Sequence, residues 1–398
     1  MLSPFHFHYS LHPNVYVAPY TDLKVNIDGD ITKDIWKDIP WSTPFDDIRY
    51  SPSHPDESIP ASDRPNDNCQ TRMKMQWDDE YLYIAAILES DFEVRATFQE
   101  RNEPIYQQDS DFEVFIDPFG SCHDYKEMEM NALNTVWNLM LDRPYNDGGS
   151  EHSGRIAKRG DHKFYDVKKQ KTAVKLLQGK LNQDGPQRTI WSVEIAMAHS
   201  DTLVHLNKRD RTGSFPKEGD MWRMNFSRCE KKGDLNWTWQ PQRIWDPKEK
   251  AHVGKVNMHL PDAWGYVKFG KSIAQEKFIG QVPKYMLDQG TKGLVDMLWP
   301  YKLAVMNVYY AQVKYREENR QYANHVSLLK EYLDGNVIGQ LMDRMQIECE
   351  EKDEEDTYIA TLVFDTENEY ALTVDNLRKV QIEMDSPMNI VSIETSLI

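Results

Sequence analysis

Between residues 109 and 141 the chain reads DSDFEVFIDPFGSCHDYKEMEMNALNTVWNLML, and polar and apolar residues alternate along the strand-like runs in it. An extended strand turns successive side chains to opposite faces, so a period of two commits this segment to a sheet with one apolar face against a core. Asp111, Glu113 and Asp117 fall on one side of the first run, opposite Phe112, Val114 and Ile116; Glu127, Glu129 and Asn131 line up in the same way against Met128, Met130 and Ala132. A stripe of carboxylates and amides on a sheet is a candidate ligand surface.

Comparable runs, rich in Val, Ile, Tyr, Phe, Trp and Met and broken by Asp, Gly, Pro and Asn clusters, extend over residues 13–270. They predict a mainly β fold, an antiparallel sandwich. Residues 71–77 alternate Met73, Met75 and Trp77 with Arg72, Lys74 and Gln76, and Asp78-Asp79-Glu80 then turns the chain into 81–88, which is apolar on both faces. That pattern reads as an edge-side strand hairpinned to a central one. Further strands are expected at 172–177, 190–197, 221–229 and 264–269, a short helix at 33–39 capped by Thr32, and a proline-rich exposed loop at 51–68. After Gly270 the period changes. Tyr301, Ala304, Val305, Val308, Ala311 and Tyr315 recur at helical spacing, and short alternating runs follow at 345–350, 358–364, 370–374 and 380–383. The acidic cluster 350–356 between two of these runs reads as a solvated hairpin tip. The expected organisation is a sandwich over 1–270, with an N-terminal extension, followed by a smaller α+β C-terminal unit over 271–398 that offers a surface for a protein partner.

Composition excludes several functions. The 398 residues carry a net charge of -17 and no Lys/Arg stripe, which argues against nucleic acid as a partner. No apolar run has the length of a membrane span, and residues 1–20 lack the basic start and apolar core of a signal peptide, so an intracellular compartment is the default. Cys69, Cys122, Cys229 and Cys349 are too scattered for a disulfide framework and read as free thiols. Asn225 and Asn236 head N-glycosylation patterns but fall in strand-like sequence, and Walker loops, HExxH and nucleophile elbows are absent.

The ordered set Ile27-Asp-Gly, MKMQWDDEYLYIAAIL, DFEVFIDPFG, EMEMNALNTVWNLML, WSVEIAM, GDMWRMNFSRCE, NWTWQPQ and NMHLPDAWGYVKF resembles the family 9 carbohydrate-binding modules and their relatives among the DOMON-like sandwiches, over roughly residues 20–270. The tail resembles, more faintly, the helix-then-sheet arrangement of pilin-like domains. The first resemblance implies a non-catalytic β-sandwich that binds plant-type polysaccharides or oligosaccharide ends in carbohydrate catabolism, often with structural calcium, in relatives that are often extracellular. It also implies two aromatic walls around a terminal sugar. Trp237 or Trp239 would supply one, and Tyr106 stands where the other tryptophan is expected.

A pyranose needs paired hydrogen-bond groups for its hydroxyls and an aromatic face for its C–H surface. Glu113, Glu129, Asn131, Arg223 and Asn225 are the polar candidates; Tyr106, Trp137, Trp237 and Trp239 are the aromatic ones. Arg228 has the opposite parity to Arg223 and reads as exterior. For calcium, Asp28 and Asp30 in IDGD and Asp117 with Asp124 offer hard oxygen ligands. Met73, Met128, Met130 and His259 read as packing residues rather than haem ligands. Glu113 and Glu129 form on paper the carboxylate pair of an O-glycosyl hydrolase, although such pairs on neighbouring strands more often bind hydroxyls or hold strands together. The alternative function is an intracellular assembly subunit that keeps the sandwich without its sugar site.

Overall fold

The computed structural model describes residues 4–52, 59–204, 215–350, 356–365 and 370–383. Its strands in chain order are β1 (Val15–Tyr20), β2 (Asp46–Asp47), β3 (Thr71–Trp77), β4 (Tyr81–Ser90), β5 (Asp111–Asp117), β6 (Tyr125–Asn131), β7 (Val136–Leu141), β8 (Glu151–Ser153), β9 (Lys171–Gln178), β10 (Thr189–Ala198), β11 (Met221–Glu230), β12 (Leu235–Thr238), β13 (Arg243–Asp246), β14 (Ala251–Gly254), β15 (Gly265–Ser272), β16 (Gly280–Gln281), β17 (Met345–Glu350), β18 (Thr357–Asp365), β19 (Tyr370–Asp375) and β20 (Val380–Glu383).

One hydrogen-bonded path, β8-β7-β6-β5-β11-β15-β1-β3-β4-β10-β9, carries most of these strands. It is antiparallel except at β1, which pairs in parallel with β15 and, at a single position, Tyr20 beside Trp77, with β3. That weak joint lets the path fold on itself, because the two halves contribute to one core. Met73, Met75, Trp77, Leu82 and Ile84 from β3 and β4 share it with Phe112, Val114, Met128, Met130, Trp222 and Phe226 from the other half. The alternation read from the sequence is therefore the alternation between this core and the outside. Met73, Met128 and Met130 are part of it.

Three local expectations change. β3 lies inside the path between β1 and β4, because β1 takes the side expected to be an edge. The short helix spans only Asp34–Lys37, is preceded by Lys33 and has no side-chain cap, since the Thr32 hydroxyl donates to Asp30 Oδ1 instead. Arg228 is fully buried, with its ring-facing side over Trp237 at 5.1 Å and its Nε donating to Glu230 Oε1 at 2.7 Å. Asn225 has no exposed surface, and Cys69, Cys122 and Cys229 are buried free thiols while Cys349 is exposed. The acidic cluster 350–356 and the loop 51–68 lie partly outside the described residues.

In the tail, the helix Trp299–Asn319 starts with Pro300 in its first turn and ends at Arg320, which has φ 59°. Its apolar side packs on the sheet β17-β18-β19-β20, in a core that also takes Cys122 and Trp245 from the sandwich. Arg378 closes the seam, donating to Asp147 Oδ2 at 2.8 Å and Asp262 Oδ1 at 3.0 Å. Among the described residues no helix is long and apolar enough to cross a membrane.

Candidate functional site

The outer face of β5, β6 and β7 is built by register. β5 sets Asp111 opposite Asn131, Glu113 opposite Glu129 and Phe115 opposite Glu127. β6 sets Glu129 opposite Trp137, and β11 sets Ser227 opposite Glu113. Directly opposed residues share a face, so the polar stripe of β5 and that of β6 merge. Asp111, Glu113, Glu127 and Glu129 are all buried there. Ligand atoms of Glu113, Glu127 and Glu129 lie within 4.8 Å of one another, as do those of Asp111, Glu113 and Cys229.

Partners are few. Glu129 Oε2 accepts the Tyr106 N–H at 3.1 Å, Asp111 Oδ1 accepts the Cys229 N–H at 2.8 Å, and the Cys229 thiol lies 3.5 Å from Glu113 Oε1. Asp111 Oδ2, Glu113 Oε2, Glu127 Oε2 and the Trp137 indole Nε1 have no hydrogen-bond partner. Burial pushes all four carboxyls above their ordinary range, Glu113 to about 7; for Asp111, Glu127 and Glu129 the charge of Glu113 adds to the effect. The Cys229 thiol is also pushed up, by burial and then by Glu113.

An aromatic pair adjoins this cluster at Glu129. Tyr106, 39% exposed, stacks on Trp137 at 6.3 Å between centroids and 15° between planes. Tyr106 enters from the 3-10 turn Ile105–Gln107, whose backbone is tied down by Glu129. Arg155 lies over the Trp137 ring at 5.2 Å and pairs with Glu151, and Tyr145 is exposed nearby, its phenol pushed up by burial and then by the charge of Glu127.

Of the residues expected at the site, the structure brings together Tyr106, Glu113, Glu129 and Trp137. It adds Asp111 and Glu127, which the alternation had already placed on the same face. Asn131 is committed elsewhere: its Nδ2 donates to Phe98 O and Asp109 Oδ2, and its Oδ1 accepts the Leu133 and Thr135 N–H groups. Asn225 Nδ2 donates to Gln240 O, and its Oδ1 accepts the Gln240 N–H. Arg223 donates to the carbonyls of Trp264 and Asp262 and lines a cavity of about 400 Å³ beneath the tail helix. Trp237 and Trp239 are each 2% exposed. Trp237 is opposite Arg228 in the β11–β12 register, on the core face, and its Nε1 donates to Asp63 O; Trp239 donates to Gln281 Oε1. Neither ring faces Tyr106 across an open cleft.

The four carboxylates proposed for calcium do not converge. Asp28 pairs with Lys33 and Asp30 with Lys175, Asp117 accepts the backbone N–H groups of Cys122 and Phe119, and none of the four belongs to a ligand group among the described residues. His259 Nδ1 is 2.9 Å from the Tyr125 hydroxyl, outside the methionine-lined core.

Residues 27–163, which contain β5, β6, β7 and the Tyr106 turn, match the family model described as carbohydrate family 9 binding domain-like. This region is a family 9 carbohydrate-binding-module-like domain. Among solved structures, a protein from Bacteroides uniformis is 14% identical, with a TM-score of 0.44 over 65% of this chain and 99% of that one. Family 9 modules from Caldicellulosiruptor kristjanssonii, solved with glucose and with cellotriose, are 19% and 18% identical, with TM-scores of 0.36 and 0.35; they cover 65% and 67% of this chain and 97% and 98% of their own. No curated protein matches the chain.

Proposed function

We propose that the Tyr106–Trp137 pair and the carboxylates beneath it bind the end of a carbohydrate chain, of the plant-type polysaccharide class, without cleaving it, and that residues 271–398 form a separate unit docked on this module. The observation that carries the reading is the coincidence of a half-exposed Tyr106 ring, stacked on the buried Trp137, with buried hydrogen-bond groups that lack partners: Glu113 Oε2, Glu127 Oε2 and Trp137 Nε1. A sugar ring offers what both lack, a C–H face for the stack and hydroxyls that donate to carboxylates and accept from an indole. Glucose and cellotriose are the first ligands to test, by calorimetric titration followed through Trp137 fluorescence. Binding that Tyr106→Ala weakens and Trp137→Phe alters supports the reading. Absence of heat with both sugars and with xylo-oligosaccharides sinks it.

A second reading, an intracellular assembly subunit that has lost sugar binding, draws on Trp237 and Trp239, whose rings are packed into the core. It gains if the sugars fail to bind while the full chain co-migrates with copies of itself or a partner in solution.

A further inference from the structure

Three arginines are buried among the described residues: Arg223, Arg228 and Arg378. Arg228 pairs with Glu230, and Arg378 with Asp147 and Asp262. Arg223 forms no ion pair among the described residues; its Nη1 and Nη2 donate to the carbonyls of Trp264 and Asp262, two of the five N–H groups that a guanidinium offers. The acids around it are committed elsewhere. Asp117, opposite it in the β5–β11 register, accepts the N–H groups of Cys122 and Phe119; Asp296 holds Lys302 and the Tyr266 hydroxyl; the Asp262 carboxylate holds Arg378 and the Tyr310 hydroxyl. Lys74 and Lys126 are also buried without an ion pair among the described residues, but burial lowers them to about 8 and about 7, so each can give up its proton. An arginine cannot, and its charge stays.

Arg223 lines the cavity of about 400 Å³ beneath the tail helix, a volume in the range of small-molecule sites. Its guanidinium lies over the rings of Tyr266 at 4.5 Å and Trp299 at 5.5 Å. Trp299, Leu303, Met306 and Asn307 recur at three- and four-residue spacing and turn one side of the helix Trp299–Asn319 to the cavity, and Ile244 and Trp245 of β13 extend the apolar wall. Asn307 stands eight residues beyond Trp299, about 12 Å along the helix at 1.5 Å per residue. Its side chain is buried, and its Oδ1 accepts the Asp334 N–H at 3.0 Å, which fixes the amide orientation and leaves the Nδ2 donor without a partner. Thr43, Pro44 and Lys284 on the lining are exposed, so the cavity opens to solvent.

We propose that this cavity binds an amphipathic organic monocarboxylate. Its carboxylate pairs with Arg223, its apolar body lies along Leu303 and Met306, and an oxygen near its other end accepts the Asn307 N–H. A carboxylate brings the charge that Arg223 lacks and matches the planar fork of a guanidinium. A neutral sugar, polar all round, would press unpaired hydroxyls on the apolar wall. None of these groups belongs to the Tyr106–Trp137 face, and the cavity can be filled whether or not that face takes a sugar.

The test is calorimetric titration of the full chain with decanoate, decanol and ω-hydroxydecanoate, each kept below the concentration at which it self-associates, with tryptophan fluorescence as a second readout because Trp245 and Trp299 line the cavity. Decanoate is expected to bind at a single site roughly tenfold more tightly than decanol, which cannot form the charge-assisted pair, and ω-hydroxydecanoate several-fold more tightly again through Asn307. Arg223→Gln should abolish the preference for acid over alcohol, and Asn307→Leu the preference for the hydroxylated acid. Where either variant folds poorly, Leu303→Trp, which fills the cavity and keeps both polar groups, should block all three ligands while its response to glucose and cellotriose stays that of the wild type. The proposal is overturned if decanoate does not bind the wild type, binds no more tightly than decanol, or binds Leu303→Trp unchanged. Sugar titrations run with and without decanoate keep the two sites apart: a chain that takes decanoate and no sugar loses only the sugar reading.

Discussion

Neutralising Glu127 should stabilise the protein, which is the opposite of what loss of a buried charge usually does. Glu127 faces Glu113 and Glu129 with ligand atoms within 4.8 Å, and one of its oxygens has no donor. Two unit charges at that separation repel by about 3.5 kcal/mol at an effective dielectric constant near 20. Protons shared among the carboxyls remove part of that repulsion, since burial pushes all of them up. A glutamine of nearly the same shape turns the remainder into an amide N–H donated to Glu113 or Glu129, so a net gain of about 1–3 kcal/mol is expected for Glu127→Gln at neutral pH. Denaturant titration at constant slope reads this directly, and the melting temperature should rise by a few degrees. The matched control is Glu151→Gln, where the same chemical change breaks the pair with Arg155 and the bond from the Ser153 hydroxyl and should lower stability by about 1–3 kcal/mol. If Glu127→Gln destabilises as Glu151→Gln does, the cluster is a compensated structural network and the reasoning fails.

Tyr106→Ala should weaken sugar affinity roughly tenfold, the loss of one stacking face worth about 0.5–1.5 kcal/mol, and leave stability almost unchanged because the ring is half-exposed; a melting temperature that drops with it would make Tyr106 structural. Trp239→Ala should cost about 3–5 kcal/mol of stability by emptying core volume, while the folded fraction binds sugar with unchanged affinity in a calorimetric titration; weakened binding there would put Trp239 back at the site. Stability should also fall in acid through His12. Its Nε2 accepts the Asp296 N–H while its Nδ1 faces Pro13 O, and burial depresses its pKa to about 3, so the neutral ring is required. A depressed pKa gives stability that is complete above the unfolded value near 6.5 and is lost as pH falls toward 3; at pH 4.5 the loss is roughly 3 kcal/mol, which His12→Gln should not show in parallel unfolding titrations.

The strands were legible because a period of two survives in the sequence whatever the topology. The run expected at 190–197 forms β10, Thr189–Ala198, and the tail runs form β17 to β20 within a residue or two. What single runs do not contain is pairing between distant strands. Nothing in 71–77 announces that β1, fifty residues earlier in sequence, will flank it and make it interior. The same limit divides the site residues. Glu113, Glu129 and Trp137 come together through the β5–β6 and β6–β7 hairpins, whose short turns fix register locally. Trp237 was judged by its neighbourhood in NWTWQPQ, yet its face is decided by β12 pairing with β11, which sets it opposite Arg228; once Arg228 is seen to be core-facing, both tryptophans follow it inward. Arg223 and Asn225 do have the right parity, but the turn around Asp262 and the strand after Thr238 supply the carbonyls that absorb them.

The contrast between Arg228 and the carboxylate cluster gives the cluster its meaning. Both sit on β11 and its neighbours, and both place charge where no water reaches. On the core face the chain solves the problem within itself: Arg228 meets Glu230, Thr71 and the carbonyl of Glu89, so no charge is left over. On the outer face it supplies four carboxylates and no arginine, although Arg155 is near enough to lie over Trp137 and is used by Glu151 instead. A cationic side chain in that position would have been a cheap way to stabilise the sandwich, and pairing is what the same sheet does elsewhere. On the reading proposed above, a face left acidic and buried beside the half-exposed Tyr106 ring is arranged for a partner that arrives from solution, because only such a partner can be absent while the chain folds and present when it works.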